Sequence, residues 1–370
     1  MTDWKVAFKD AITPLYRPAY NHLRSKIMID NSGDWRDTLF VSTGGRTGGT
    51  WVSQLINFDL SYRLMFEPAS REYLMVPPEL LPMLRDNRLQ YIRPSSTDPD
   101  LIRRAQEVIT GRFRQGLTDQ YNYTPRIKFK KRLVKETKSN LYAKWLHERF
   151  PGMPIVLLLR HPISAIMSRQ PDYFDLPPEK RDATDDVEKR TREYRALALG
   201  QPELMQDFLE PFRPVIEAAT TVFAQRMVVW CIQNYVPLRT LAPGDVHLAF
   251  YEEFCIDPVK QMRRLREFLG TELRDDEIDR IRKRSRKRSS TLHRTEIHGF
   301  REPSEIEGYE QIAKWTKRVT PDEQREAAAT LRAFGMDGVY SATDPLPDFE
   351  GAAVIMRRNA APAAAQPISS

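Results

Sequence analysis

The residues Thr43-Gly44-Gly45-Arg46-Thr47-Gly48-Gly49-Thr50 mix glycine, hydroxyl and a single guanidinium in a pattern suited to an oxyanion. Glycines let the backbone curl so that successive N–H groups turn inward, and a helix beginning there adds about half a positive charge. The same run also reads as a tight strand-to-helix turn of an unrelated α/β fold, so the loop alone leaves both readings open. Counted from Gly44, a GxxxxGK[ST] loop would place Gly49 at its second glycine, but Thr50 stands where the lysine belongs. No apolar strand ends in a magnesium-binding Asp, so a phosphate-like group without a kinase's magnesium apparatus is expected. A second cluster is Arg160-His161-Pro162 with Ser168 and Arg169 following. Ser168 lies about two helical turns beyond Arg160. A guanidinium fork plus a hydroxyl makes a phosphate clamp. Arg160 also reads as half of an ion pair, and Ser168 as a surface serine.

Both clusters follow apolar runs. Thr38 to Ser42 is a compact β-branched run ending at the glycines, which predicts a buried parallel strand. Thr50 to Phe58 fits a helix, Tyr62–Phe66 a second strand, Arg132–Val134 a third, and Asn140–Phe150 a helix. The strongest strand is Pro154–Leu159, with a helix from Ser164 to Arg169. A core helix is predicted over 215–235, a fifth strand at Val246–Phe250, and an amphipathic helix at Pro258–Leu269. Alternating strands and helices argue for a three-layer α/β domain: a central parallel sheet flanked by helices, with largely helical insertions. Residues 1–36 read as a lead-in, 37–341 as the main domain and 342–370 as a disordered Ala/Pro-rich tail. The region 77–125 looks irregular.

Composition narrows the function. Of 370 residues, 41% are hydrophobic and 29% charged, which excludes an integral membrane protein and extended disorder. Lys+Arg 57 against Asp+Glu 50 gives +7, a mild lean toward an anionic ligand. Two cysteines, Cys231 and Cys255, and six histidines without HxxxH spacing support neither a disulfide framework nor a metal site. No signal-peptide core or spanning segment is visible, so a soluble cytoplasmic protein is expected. The amphipathic start (Trp4, Val6, Phe8, Ile12) suits packing on the domain or peripheral contact with a membrane surface. The run Arg282 to Arg288 is basic but lacks interleaved aromatics, so nucleic acid is not an expected partner.

Together these residues resemble a known family. Thr43 to Trp51 is similar to the 5′-phosphosulfate loop of sulfotransferases that use 3′-phosphoadenylyl sulfate (PAPS). Arg160 through Ser168 is similar to their 3′-phosphate motif, and Tyr251-Glu252-Glu253-Phe254 through Asp257-Pro258 to Phe268-Leu269-Gly270 resembles their YED…FLG segment. Phe66-Glu67-Pro68 resembles the FEP triplet of carbohydrate sulfotransferases. The similarity runs with gaps from about residue 38 to 335 and leaves the insertions 70–125 and 170–215 uncovered. It implies a P-loop-like fold and transfer of a sulfuryl group, without a metal, to an acceptor hydroxyl of a carbohydrate, glycolipid or small metabolite, leaving PAP. The alternatives are a P-loop-type ATP-dependent kinase and a non-catalytic nucleotide-binding protein.

The resemblance also implies roles. Arg46 stabilises charge developing at the bridging oxygen, and the loop of Gly44, Gly45, Thr47, Gly48, Gly49 and Thr50 holds the 5′-phosphate. Arg160 and Ser168 grip the 3′-phosphate, while Trp51 and Tyr251 stack on adenine. The family's RKG triplet is absent before Trp315; Arg286 and Arg288 are the expected substitutes, although a solvated basic helix face explains most of that run. The general base is expected to be Glu67, which lies 21 residues after Arg46, with Glu136 the runner-up and Lys135 near the sulfate or acceptor. Glu67 also reads as an ion-pair partner of Lys135 or Arg46. The insertions, with Tyr121, Tyr123, Tyr173 and Phe174, are expected to line the acceptor cleft.

Overall fold

The computed structural model describes residues 23, 25–69, 89–114, 116, 118–122, 126–181, 187–286 (backbone only at 286) and 308–357. Seven strands are described: β1 (Ile29–Asp30), β2 (Thr38–Thr43), β3 (Tyr62–Phe66), β4 (Lys128–Phe129), β5 (Lys131–Glu136), β6 (Ile155–Leu159) and β7 (His247–Phe250). β1 and β4 form a small parallel pair. The other five make one parallel sheet in the order β3-β5-β2-β6-β7. The first strand of this sheet is therefore central, and the chain crosses to opposite sides of it. Such a switch point opens a crevice above the carboxyl ends of the strands.

Side chains alternate across the sheet, which explains the three layers. Phe40, Met65, Val134, Ile155 and Leu157 enter one apolar cluster, while Leu39, Val41, Leu64, Leu133, Val156 and Leu158 enter the other. Every residue of β6 is buried, as a central parallel strand covered on both faces requires. The helices that matter for the site are α1 (Gly49–Ile56), α2 (Pro99–Ile109), α3 (Pro162–Arg169), α4 (Val222–Thr240), α5 (Tyr251–Ile256), α6 (Pro258–Phe268), α7 (Asp275–Arg286), α8 (Gly308–Ala313) and α9 (Phe349–Arg357).

Several expectations need correction. The core helix predicted over 215–235 is interrupted: one short helix ends at Ala218, and α4 restarts with Thr221 capping the Ala224 amide. The region 77–125 is not uniformly irregular, because α2 lies within it and buries Leu101, Ala105, Val108 and Ile109. Part of the tail is helical: α9 buries Ala352, Ala353, Ile355 and Met356, and a Cβ on Gly351 would come within 1.7 Å of the Gly338 carbonyl oxygen. That backbone-to-backbone approach is open only to glycine. The lead-in residues Trp4, Val6, Phe8 and Ile12, together with Tyr123, lie outside the described residues. No helix among the described residues is long and apolar enough to cross a membrane.

Candidate active site

The sheet gathers the predicted chemistry at its carboxyl edge. The glycine loop follows β2, Glu67 follows β3, Lys135 and Glu136 end β5, Arg160 follows β6 and Tyr251 follows β7. Gly48 caps α1 in the left-handed region (φ 82°) and gives the first turn no side-chain hydrogen bond. A Cβ at Gly48 would fall 2.3 Å from the Tyr251 ring, one at Gly45 2.1 Å from the Arg169 guanidinium, and one at Gly49 2.7 Å from Thr43 Cγ2. Neighbouring side chains therefore press on the loop from outside. Thr47 is buried, and its hydroxyl donates to the Gly44 carbonyl at 2.6 Å. It closes the turn, leaving Thr50 as the candidate hydroxyl for a ligand.

Arg46 is exposed, with φ 69°, and its Nε donates to the Ser168 carbonyl at 2.9 Å and to Ser168 Oγ at 3.2 Å. Arg160 Nη1 donates to the Arg46 carbonyl at 2.8 Å, and its Nε and Nη2 donate to Ser164 Oγ at 3.1 and 2.7 Å. The two anion clusters are thus in direct contact, although the pairing differs from the expected one. Ser168 meets Arg46, while Arg160 uses Ser164. Ser164 was missed in the sequence, yet its spacing of four from Arg160 puts it one helical turn away.

The aromatic expectation changes. Trp51 and Tyr251 are 5% and 6% exposed and pack edge to face at 5.7 Å. The Arg160 guanidinium lies 4.4 Å from the Tyr251 ring centroid, a cation–π contact. Both rings serve as packing beneath the loop and the arginine, which leaves little ring surface for an adenine.

The lysine absent from the loop has a counterpart in Lys135. Its side chain runs beside Gly49, its Nζ lies 4.5 Å from the Phe66 ring centroid, and it is ion-paired with Glu67. Glu67 itself has φ 47°, and its amide bonds the Lys135 carbonyl at 2.7 Å. Its carboxylate is partly exposed. Glu136 plays another part. It is 1% exposed, and its oxygens accept from the amides of Ala69 (2.7 Å), Thr137 (2.8 Å) and Lys138 (3.2 Å). Burial, then the nearby Glu67 charge, pushes its carboxyl up to about 7. It anchors the turn that carries Glu67 rather than facing a substrate.

Of the basic run, Arg284 reaches the site's flank by donating to Gln54 of α1 at 2.6 Å. The side chain of Arg286 and all of Arg288 lie outside the described residues. Tyr121 and Phe174, expected in the acceptor cleft, are buried; Tyr121 packs edge to face on Phe66 at 4.5 Å. Tyr173 lies beside Phe174, 5.8 Å from the Arg181 guanidinium. Among the described residues no group of acidic, histidine or cysteine side chains is arranged to hold a metal ion.

A cleft of about 480 Å³ opens instead at the amino edge, lined among others by Arg36, Tyr62, Lys131, Asp245, Arg266 and Phe268. Most of its charges are already paired: Arg36 with Asp34, Asp245 with Lys144, and Arg266 with Glu277. The carboxyl edge holds the glycine loop, the start of α1, Arg46 and Arg160.

Two solved structures are similar to this chain. A sulfotransferase domain from the Synechococcus PCC 7002 olefin synthase is 14% identical, with a TM-score of 0.37, over 79% of this chain and 93% of that one. A sulfotransferase domain from the curacin biosynthetic pathway is 17% identical, with a TM-score of 0.36, over 82% and 98%. No curated protein matches. The model of the sulfotransferase family matches residues 39–276. That span includes the glycine loop, Glu67, Lys135, Arg160, Ser168 and Tyr251, and the chain belongs to the sulfotransferase family.

Proposed function

We propose that the protein transfers a sulfuryl group from PAPS to the hydroxyl of an acceptor, by in-line displacement. The supporting observation is the junction of the two anion clusters: Arg160 Nη1 lies 2.8 Å from the Arg46 carbonyl, across the two central strands. A donor with anionic groups at both ends fits such a junction. The donor set fits it as well, because the bonds holding Arg160 go to neutral oxygens, so its charge remains available.

The residues that would hold PAPS are the first-turn amides of α1, Thr50 and Arg46 at the 5′ end, with Arg160 and Ser168 at the 3′ end. PAPS supplies the sulfuryl group; the protein supplies position and charge, which dominate in the parallel phosphoryl transfers. Arg46 leaves Ser168 to serve the transferring group, and Ser168 Oγ is then released to a phosphate. Glu67 takes the acceptor proton. Lys135 holds the Glu67 carboxylate in place, and Glu136 fixes the backbone on which it rides. The acceptor is a carbohydrate, glycolipid or small-metabolite hydroxyl; the Phe66-Glu67-Pro68 triplet and the arginine at position 46 support the carbohydrate class.

Incubation with ³⁵S-labelled PAPS and a panel of hydroxyl acceptors tests the reading. Transfer is expected in the wild type and, for Glu67→Gln, a fall in kcat of about 10²–10⁴ with PAP affinity kept. Absence of PAP binding by calorimetry would refute the donor.

A further inference from the structure

The peptide unit joining Arg160 to His161 is held on both sides. Its carbonyl oxygen accepts from Trp230 Nε1 at 3.0 Å, and its N–H donates to Glu252 Oε1 at 2.9 Å. Glu252 is 1% exposed, and its other oxygen, Oε2, accepts from the Tyr340 hydroxyl at 3.0 Å. A buried carboxylate that forms no ion pair among the described residues is costly to keep. Burial pushes this one up to about 7, against the pull of the His161 N–H and the Arg160 charge.

Tyr340 stands at the centre of this arrangement. Its ring packs edge to face on Trp230 (5.7 Å), His161 (5.2 Å) and Phe250 (5.9 Å). The next residue closes the circle: the Ser341 carbonyl lies 2.8 Å from His161 Nε2. Burial keeps His161 neutral, with its ring lowered to about 3, so Nε2 carries the proton and donates to that carbonyl. The same imidazole stacks on Trp315 at 4.3 Å and 18°. Trp315, Tyr340 and Ser341 all lie beyond residue 276, where the family-model match ends.

We propose that Glu252 is a positioning residue for the donor site: with Trp230 it fixes the peptide that aims Arg160, and the 308–357 segment, through Tyr340 and Ser341, fixes Glu252 in turn. This inference rests on the reading of Arg160 as the 3′-phosphate arm. The groups that face the carboxylate are the His161 amide, the Tyr340 hydroxyl, its own backbone amide and, electrostatically, Arg160. Glutamine keeps an oxygen for the amide and turns its NH₂ toward the tyrosine oxygen, whereas alanine leaves both donors buried without a partner.

The test compares wild type, Glu252→Gln and Glu252→Ala by hydrogen exchange at the His161 amide and by calorimetric PAP binding. In Glu252→Ala the amide is expected to exchange about tenfold faster or more and PAP to bind about tenfold more weakly, with KM for PAPS rising more than kcat falls. Glu252→Gln is expected to stay within about threefold of wild type in both. Unchanged exchange in Glu252→Ala overturns the proposal whether or not PAP is the donor, and faster exchange with unchanged PAP affinity also overturns it. If the wild type binds no PAP, the proposed donor fails while the exchange measurement still decides whether Glu252 holds the arm. Should Glu252→Ala not fold, Tyr340→Phe removes only the hydroxyl and is expected to shift both readouts the same way, by about half as much on a logarithmic scale.

Discussion

At the amino edge of the sheet, Arg63 and Arg132 are fully buried and locked into acid and carbonyl partners. Arg63 forms a bidentate pair with Asp119 (2.8 and 2.9 Å) and bonds the carbonyls of Gly111 and Phe113; Arg132 pairs with Asp30 and bonds Thr38, Ile109 and Ser32. At the carboxyl edge, Arg160 is half-buried, and the bonds holding it go to the Ser164 hydroxyl and the Arg46 carbonyl. The same side chain closes one end of the domain and arms the other. The difference lies in the partner: a carboxylate cancels the charge and makes the arginine structural, while a neutral oxygen positions it and leaves the charge for a ligand.

That contrast can be broken from either end. Arg132→Ala should cost about 3–5 kcal/mol in urea unfolding, because the buried Asp30 keeps only a longer contact with Arg63 at 3.9 Å and the carbonyls of Ser32 and Ile109 lose this donor. Arg46→Ala should do the reverse, moving stability by less than about 1 kcal/mol while lowering kcat for sulfuryl transfer about 10²–10³-fold. If both variants lose stability alike, the distinction between the two edges fails. Gly48→Ala tests the border between the roles. Its methyl meets the Tyr251 ring at 2.3 Å in a left-handed backbone, so about 1–3 kcal/mol of stability should be lost together with PAP affinity, as the ring shifts under Arg160.

The smallest effect concerns pH. The carboxyls of Glu136 and Glu252 are pushed up to about 7 from 4.5, so the folded chain holds more protons than the unfolded one between those values. Their stabilising contribution is complete below about pH 4.5 and is lost as the pH rises through about 7. Glu136→Gln should therefore flatten the dependence of Tm on pH between about 5 and 8, by about 1–4 °C.

Much of the carboxyl edge was legible in the sequence, because its positioning is local. A β-branched run, a glycine turn and a helix start are contiguous, and each strand announces itself by apolar residues between turns. The pairings across the edge were not legible. Nothing in the order of residues says that Ser168 would hold Arg46, that Lys135 from the neighbouring strand would lie beside Gly49, or that Trp51 and Tyr251 would bury each other. These contacts depend on sheet order, which places β5 and β6 on either side of β2. The tail misled for a compositional reason: alanine and proline dominate its end, whereas Phe349 to Arg357 carries an apolar stripe that docks on the core.

The bond between Ser341 and His161 spans 180 positions of the chain. On the ribosome, the sheet and its glycine turn can assemble while that stretch is still being made, but the grip behind Arg160 is completed only once Tyr340 and Ser341 have emerged. In the proposed arrangement, a chain that ends before those residues lacks both the hydroxyl that holds Glu252 and the carbonyl that holds His161.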